Sequence, residues 1–310
     1  MGYNPHQKKI KRAVDDRVGI IGGSSYGACQ GLSTYKSPHQ VALQFLGKEA
    51  TEEITPDKAE ALEMGHQLED FIAKQGERLF GVKMKRSNFA YVHNDYDWLI
   101  CHPDRVIVGK VDGKVIGVEI KSSTAWDDRW GAPDTDQVPF DYLAQCHLYM
   151  QCGVCDEVWL LRFSNNRVTR YIITADEVLE DRLLAGAVRF VENCRQGILP
   201  AIDDYEEAKK VYLSRKCEGD VLGTEEMLET ARKLKEVSKA KNEAEKEANA
   251  LKAKLLPLMH GKKTLIDNHG DKVITLSYVS KMTLDAKKVE AEYPDIYQKC
   301  LKDSGYNMFR

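Results

Sequence analysis

The sequence predicts an α+β fold: a mixed central β-sheet flanked by helices, followed by a C-terminal extension of helix and hairpin. Three observations predict it. Two capped segments with helical periodicity come first, and a run of short β-rich segments occupies the middle. Helix, paired strands and a further helix then alternate up to about residue 203. Past that point the composition turns Ala/Glu/Lys-rich, which divides the chain into a 1–203 domain and a 204–310 extension.

Each element follows from its own signals. Ser37 precedes Pro38 and spaced apolar residues, and Gly47 closes the segment, so 37–47 reads as a capped helix. Thr55 and Pro56 open a longer helix over 55–81, with Leu62, Leu68, Phe71, Ile72, Leu79 and Phe80 at helical spacing. Strands are expected at 82–92, 98–101, 105–110 and 114–121, the last two joined by the hairpin turn Val111-Asp112-Gly113-Lys114. Pro139 opens a helix that ends near Gly153. Strands at 157–163 and 168–174 pair around a polar turn, and a helix over 175–197 stops at Gly197 ahead of Pro200. In 224–259, Leu234, Val237, Lys241, Ala244, Ala248, Leu251, Leu255 and Leu258 alternate three and four apart, the coiled-coil period, on a seam weakened by one lysine and two alanines. A hairpin turning at Asn268-His269-Gly270 and two short helices broken at Pro294 complete the extension.

Composition narrows the class. The chain has 310 residues, 43% hydrophobic and 30% charged, as a globular protein does. No apolar run approaches the roughly 18–20 residues that cross a bilayer. The first residues lack the apolar core of a secretory signal, and His6 stands where myristoylation needs Ser or Thr, so a cytoplasmic protein is expected. A net charge of −3 neither advertises nor excludes nucleic-acid binding, because a local basic channel matters more than the total. The eight cysteines are expected to be buried thiols. Cys146, Cys152 and Cys155 lack a fourth cysteine at a telling spacing for a metal cluster.

The chemistry-bearing residues lie on the central hairpin. Glu119 and Lys121 are two apart, so they share one face of a strand, and Asp104 precedes the neighbouring strand. Two carboxylates on adjacent strands make a hard oxygen-donor site for Mg²⁺, to which the carbonyl of Ile120 adds a ligand. Lys121 beside such an ion orients the attacking water or stabilises phosphorane-like charge, the needs of phosphodiester hydrolysis. Glu69 on the long helix is a candidate for a second ion. Charges set within the apolar Val115–Ile120 stretch argue against an ordinary surface hairpin, since unpaired burial costs several kcal/mol. Gln145 and Tyr149, four apart, put an amide and a phenol on one helix face.

Pro103-Asp104 with Glu119-Ile120-Lys121 resembles the PD-(D/E)xK nuclease signature. Further motifs, Arg17-Val-Gly-Ile-Ile-Gly-Gly-Ser24, Gly65-His-Gln-Leu-Glu69 and Tyr142-Leu-Ala-Gln145, resemble the lambda-type phage exonucleases of the YqaJ-like viral recombinase family. They occur in family order across residues 15–200 or so. The resemblance implies a restriction-endonuclease-like core and a Mg²⁺-dependent 5′→3′ exonuclease on linear duplex DNA, with Mn²⁺ as substitute and two ions per site. Such an enzyme releases 5′-mononucleotides and leaves 3′ single strands for an annealing protein. By the same resemblance, Asp104, Glu119 and the Ile120 carbonyl hold metal, Glu69 serves the second metal, and Lys121 acts on the nucleophilic water. Gln145 orients Lys121 or the phosphate, with Tyr142 nearby, while Arg17 and Ser24 grip the 5′-terminal phosphate. A ring trimer in a bacterial host cytoplasm, encoded by phage or prophage, is implied as well. The competing readings are a PD-(D/E)xK endonuclease, a RecB/Cas4-like single-strand nuclease, and a non-catalytic recombination scaffold acting through the coiled coil.

Overall fold

Alternation along one apolar strand sets which residues reach the site, and the elements around it follow in chain order. The computed structural model describes residues 4, 9–11, 18–48, 56–123, 127–202, 204–213, 219–280 and 285–301. They form β1 (Lys9–Lys11), α1 (Gly23–Ala28), α2 (Pro38–Phe45), α3 (Pro56–Phe80), β2 (Met84–Arg86), β3 (Phe89–Val92), β4 (Ile100–Cys101), β5 (Arg105–Ile107) and β6 (Ile116–Ser122). Then come α4 (Phe140–Gln151), β7 (Glu157–Ser164), β8 (Arg167–Thr174), α5 (Glu177–Arg195) and α6 (Tyr205–Tyr212). The last elements are α7 (Glu225–Leu258), β9 (Thr264–Ile266), β10 (Lys272–Thr275), α8 (Ala286–Glu292) and α9 (Pro294–Cys300).

The α+β expectation holds. A five-stranded sheet runs in the order β2-β5-β6-β7-β8, antiparallel except for the parallel pair β6–β7. Parallel neighbours need a crossover, and α4 supplies it. Along β6, Ile116, Val118 and Ile120 pack with Ile72 and Ala73 of α3 on one face. The intervening Gly117, Glu119 and Lys121 therefore leave the other face, which α4 covers. The larger core there joins α1, α2, α4 and α5 through Tyr26, Val41, Leu148, Leu160, Ile173, Leu183 and Phe190.

Local chemistry explains the boundaries. Ser37 accepts from the Gln40 amide and Gln40 returns a bond to the Ser37 amide, a complete capping box with Pro38 behind it. Asp112 and Gly113 both hold positive φ, 49° and 80°, the two-residue turn that matches strand twist. Against expectation, 82–92 is two strands. β2 joins the large sheet, whereas β3 joins β1 and β4 in a separate three-stranded sheet, with the break at Ser87. Neither β1 nor α1 is foreshadowed by periodicity, each being too short to carry one.

The chain packs as two units, Met1–Arg215 and Lys216–Arg310. This moves the boundary from 203 to 215, because α6 is tied into the first unit. His39 bonds the Pro200 carbonyl and the Tyr212 hydroxyl, both at 2.6 Å, and the Ser37 hydroxyl bonds Glu207. In the second unit α7 is one continuous helix, capped by Thr224, with no buried side chain. Of its expected coiled-coil seam, Leu234, Val237, Leu251 and Leu258 are exposed and Leu255 is half-buried. The hairpin expected at 262–280 is β9–β10. Cys29, Cys101, Cys146, Cys152, Cys155 and Cys194 are buried thiols, Cys300 is exposed, and Cys217 lies outside the described residues.

Candidate active site

The site begins where the β5–β6 ladder stops. The last antiparallel pair is Arg105 with Val118, and two further residues of that register would set Pro103 opposite Ile120. Proline has no N–H to give, so the Ile120 carbonyl meets no ladder donor from that position. The Ile120 N–H turns instead to a side chain and donates to Asp104 Oδ2 at 2.8 Å. A peptide N–H and C=O of one strand residue leave by the same edge, so the Ile120 carbonyl faces the Asp104 side.

Glu119 is 3% exposed and surrounded by donors. Gln145 Nε2 donates to its Oε1 at 2.7 Å, Lys121 Nζ lies 2.6 Å from the same oxygen, and the Tyr149 hydroxyl donates to Oε2. Gln145 also accepts from Lys121 Nζ at 3.2 Å and donates to the Tyr149 hydroxyl at 2.7 Å, which closes the network. Lys121 sits 4.8 Å from the centroid of the Tyr142 ring. Burial pulls the Lys121 pKa down, but the Glu119 charge and its hydrogen bond, followed by Asp104, outweigh it and hold the ammonium above the usual lysine range.

Asp104 is pushed well above the ordinary carboxylate range, first by burial and then by the Glu119 charge. Two close acids with an oxygen-only donor set form an arrangement that a hard divalent cation relieves, so these residues fit Mg²⁺ or Mn²⁺. Among the described residues no three His, Cys, Asp or Glu side chains gather into a metal-holding group, and the Ile120 carbonyl is a further oxygen on the Asp104 side.

The other expected residues are less tightly gathered. Glu69 lies at the α3 edge, 3.8 Å from Arg105 Nη1, and its charge contributes to the upward push on Asp104. Ser24 is exposed in the first turn of α1, next to Gly23. A Cβ on Gly23 would stand 3.0 Å from Gln145 Cγ, so only glycine lets this turn approach the amide so closely. Arg17 lies outside the described residues.

One contributor was missed by the motifs. Arg105, 4% exposed, donates from Nη1 to the Asp104 carbonyl at 2.8 Å and from Nη2 to Asp70 Oδ1 at 2.7 Å, tying α3 to the segment that carries Asp104. An arginine on an inward strand position was the available signal. The Tyr149 bonds to Glu119 and, at 3.3 Å, to the His102 carbonyl were foreshadowed only by helical spacing from Gln145.

Comparison with known proteins follows the same lines. Residues 14–156 match the model of the YqaJ-like viral recombinase domain. A Bacillus subtilis (strain 168) protein, "Uncharacterized protein YqaJ", is 24% identical over 324 aligned positions, which span 100% of this chain and 96% of that protein. The structure is similar to an alkaline exonuclease, LHK-Exo, from Laribacter hongkongensis, at 16% identity, covering 59% of this chain and 91% of that one with a TM-score of 0.43. The same enzyme in complex with dAMP also aligns with a TM-score of 0.43 at 16% identity, over 63% of this chain and 93% of that one. The chain thus resembles the family that its motifs implied. Among the described residues no helix is long and apolar enough to cross a membrane.

Proposed function

From a chain whose residues 14–156 match the YqaJ-like viral recombinase domain, we propose a metal-dependent exonuclease that digests linear duplex DNA 5′→3′. It releases 5′-mononucleotides and leaves 3′ single strands for recombination by annealing. The observation that carries the reading is the closed network of Glu119, Lys121, Gln145 and Tyr149 beside Asp104, with a peptide carbonyl freed by Pro103. Asp104, Glu119 and the Ile120 carbonyl would hold Mg²⁺ or Mn²⁺, with Glu69 for a second ion, and such an ion supplies Lewis-acid activation of water and phosphate.

The chain's own groups do the rest. Lys121, donating toward Glu119 and Gln145, orients the attacking water and takes up charge growing on the phosphoryl oxygens. Gln145 fixes the ammonium with its carbonyl and the carboxylate with its amide. Arg17 and Ser24 hold a 5′-terminal phosphate, a dianion suited to a guanidinium fork and a hydroxyl, which gives polarity a physical basis. The substrate is DNA ends, the assembly a ring trimer, the partner a single-strand annealing protein, and the setting the host cytoplasm.

Duplex DNA labelled at either the 5′ or the 3′ end, incubated with protein and Mg²⁺ beside a covalently closed circle, tests the proposal. Labelled mononucleotide should come first from 5′ ends, EDTA should stop it, and the circle should stay closed. Opening of the circle favours the endonuclease reading, and first release from 3′ ends overturns the polarity. Digestion of single strands alone favours the RecB/Cas4-like reading.

A further inference from the structure

A second cation lies beside Lys121, and the proposed chemistry leaves it without a role. In the parallel register Lys121 pairs with Arg162 of β7, so both side chains leave the sheet by one face, a strand spacing of about 4.8 Å apart at the backbone. The Arg162 guanidinium lies 4.5 Å from the centroid of the Trp130 ring, and its Nε and Nη2 donate to Ser123 Oγ at 3.2 and 3.1 Å. A guanidinium set over an indole ring and bonded along one edge is restricted in orientation before anything binds.

The platform beneath it is itself built. Trp130 Nε1 donates to Asp127 Oδ2 at 3.2 Å, and its ring stands 5.0 Å from Tyr171 and 5.7 Å from Tyr142. The loop after it is closed by the Gly131 amide on the Gln137 carbonyl at 2.8 Å, and a Cβ on Gly131 would come within 2.6 Å of Gln137. Tyr142 in turn carries Lys121 over its ring. Lys121, Tyr142, Trp130 and Arg162 thus make one continuous row, cation to aromatic to aromatic to cation, at the C-terminal end of the β6–β7 pair. With Arg162 over the indole face and two tyrosines crowding it, Trp130 supports a cation and is not open to stack a base.

We propose that Arg162 is a DNA-phosphate-binding residue that grips the backbone phosphate adjacent to the one at Lys121, with Trp130 as its positioning platform. The ligand is a phosphodiester of the strand being cut, recognised by charge and planar donors and without regard to base. This rests on the nuclease reading, so the test has one arm that needs no cleavage.

In the first arm, binding of a short duplex is measured with Ca²⁺ over a range of potassium concentrations. Arg162→Ala should weaken binding about tenfold and lower the salt slope by about one, while Arg162→Lys keeps most of the slope. An unchanged slope in Arg162→Ala overturns the proposal, and if that variant does not fold, a weakened slope in Trp130→Leu takes its place. In the second arm, a duplex carries one uncharged methylphosphonate next to the scissile linkage. The parent should cut it about tenfold more slowly than the unmodified duplex, and Arg162→Ala should cut both alike, as expected when one charged hydrogen bond is lost. Full sensitivity in Arg162→Ala overturns the proposal. A parent that binds with the predicted slope but cuts nothing refutes the nuclease reading and leaves the phosphate contact standing.

Discussion

Glu119 is nearly inaccessible to solvent, and an unpaired carboxylate there would cost several kcal/mol. Lys121, Gln145 and Tyr149 offset that cost by direct bonds, and the same bonds fix the ammonium beside the acids. Replacing Lys121 with Ala should therefore lower single-turnover cleavage by at least about 10²-fold while DNA affinity in Ca²⁺ changes little. Cleavage at the parental rate would refute the role of the lysine. Pro103 allows a subtler test. Pro103→Ala restores an N–H opposite Ile120, and if the ladder extends, the carbonyl is no longer available to a cation. The Mg²⁺ concentration for half-maximal cleavage should rise several-fold with the maximal rate less affected, and an unchanged requirement would remove the peptide oxygen from the donor set. Much of this residue-level site was legible in the sequence. Asp104, Glu119 and Lys121 follow from a two-residue period and a hairpin turn, both local. Arg105 and Asp70 were not, since their contact exists only once α3 has packed against the sheet.

At the scale of elements, the helix that carries Gln145 is held by close packing against α1. A Cβ on Gly27 would lie 3.2 Å from Asp141 Cα and 3.4 Å from Ala144 Cβ, and a backbone atom has no rotamer by which to yield. Gly27→Val should force α1 away from α4 and cost about 1–3 kcal/mol by overpacking. Urea unfolding measures the cost, and cleavage should fall with it because Gly23, in the same short helix, abuts Gln145. Wild-type stability in that variant would show that the helices tolerate separation. The longer elements, α3, α4, α5 and the β7–β8 hairpin, were legible because each repeats a period and carries its own stop. The split of 82–92 into β2 and β3 was not, because both halves look β-like and only tertiary pairing sends them to different sheets.

At the scale of the whole molecule, the two units differ in how they are stabilised. Every residue of the two described core clusters lies within Met1–Arg215. By contrast α7 buries no side chain, and β9–β10 is a lone two-stranded hairpin, marginal in water. A chain ending at Arg215 should keep a cooperative unfolding transition close to that of the full chain, read by circular dichroism. Loss of that transition would mean that the first unit depends on the second. The coiled-coil period of 224–259 was legible as a helix, but periodicity is silent on what covers the seam.

The central claim is that Asp104, Glu119 and the Ile120 carbonyl gather one divalent ion, and calorimetric titration of Mg²⁺ in the absence of DNA tests it most directly. The parent should bind, and Asp104→Asn and Glu119→Gln should each weaken binding at least about tenfold, since a neutral amide is a poorer ligand for a hard cation. Equal affinity in the parent and both variants would contradict the account.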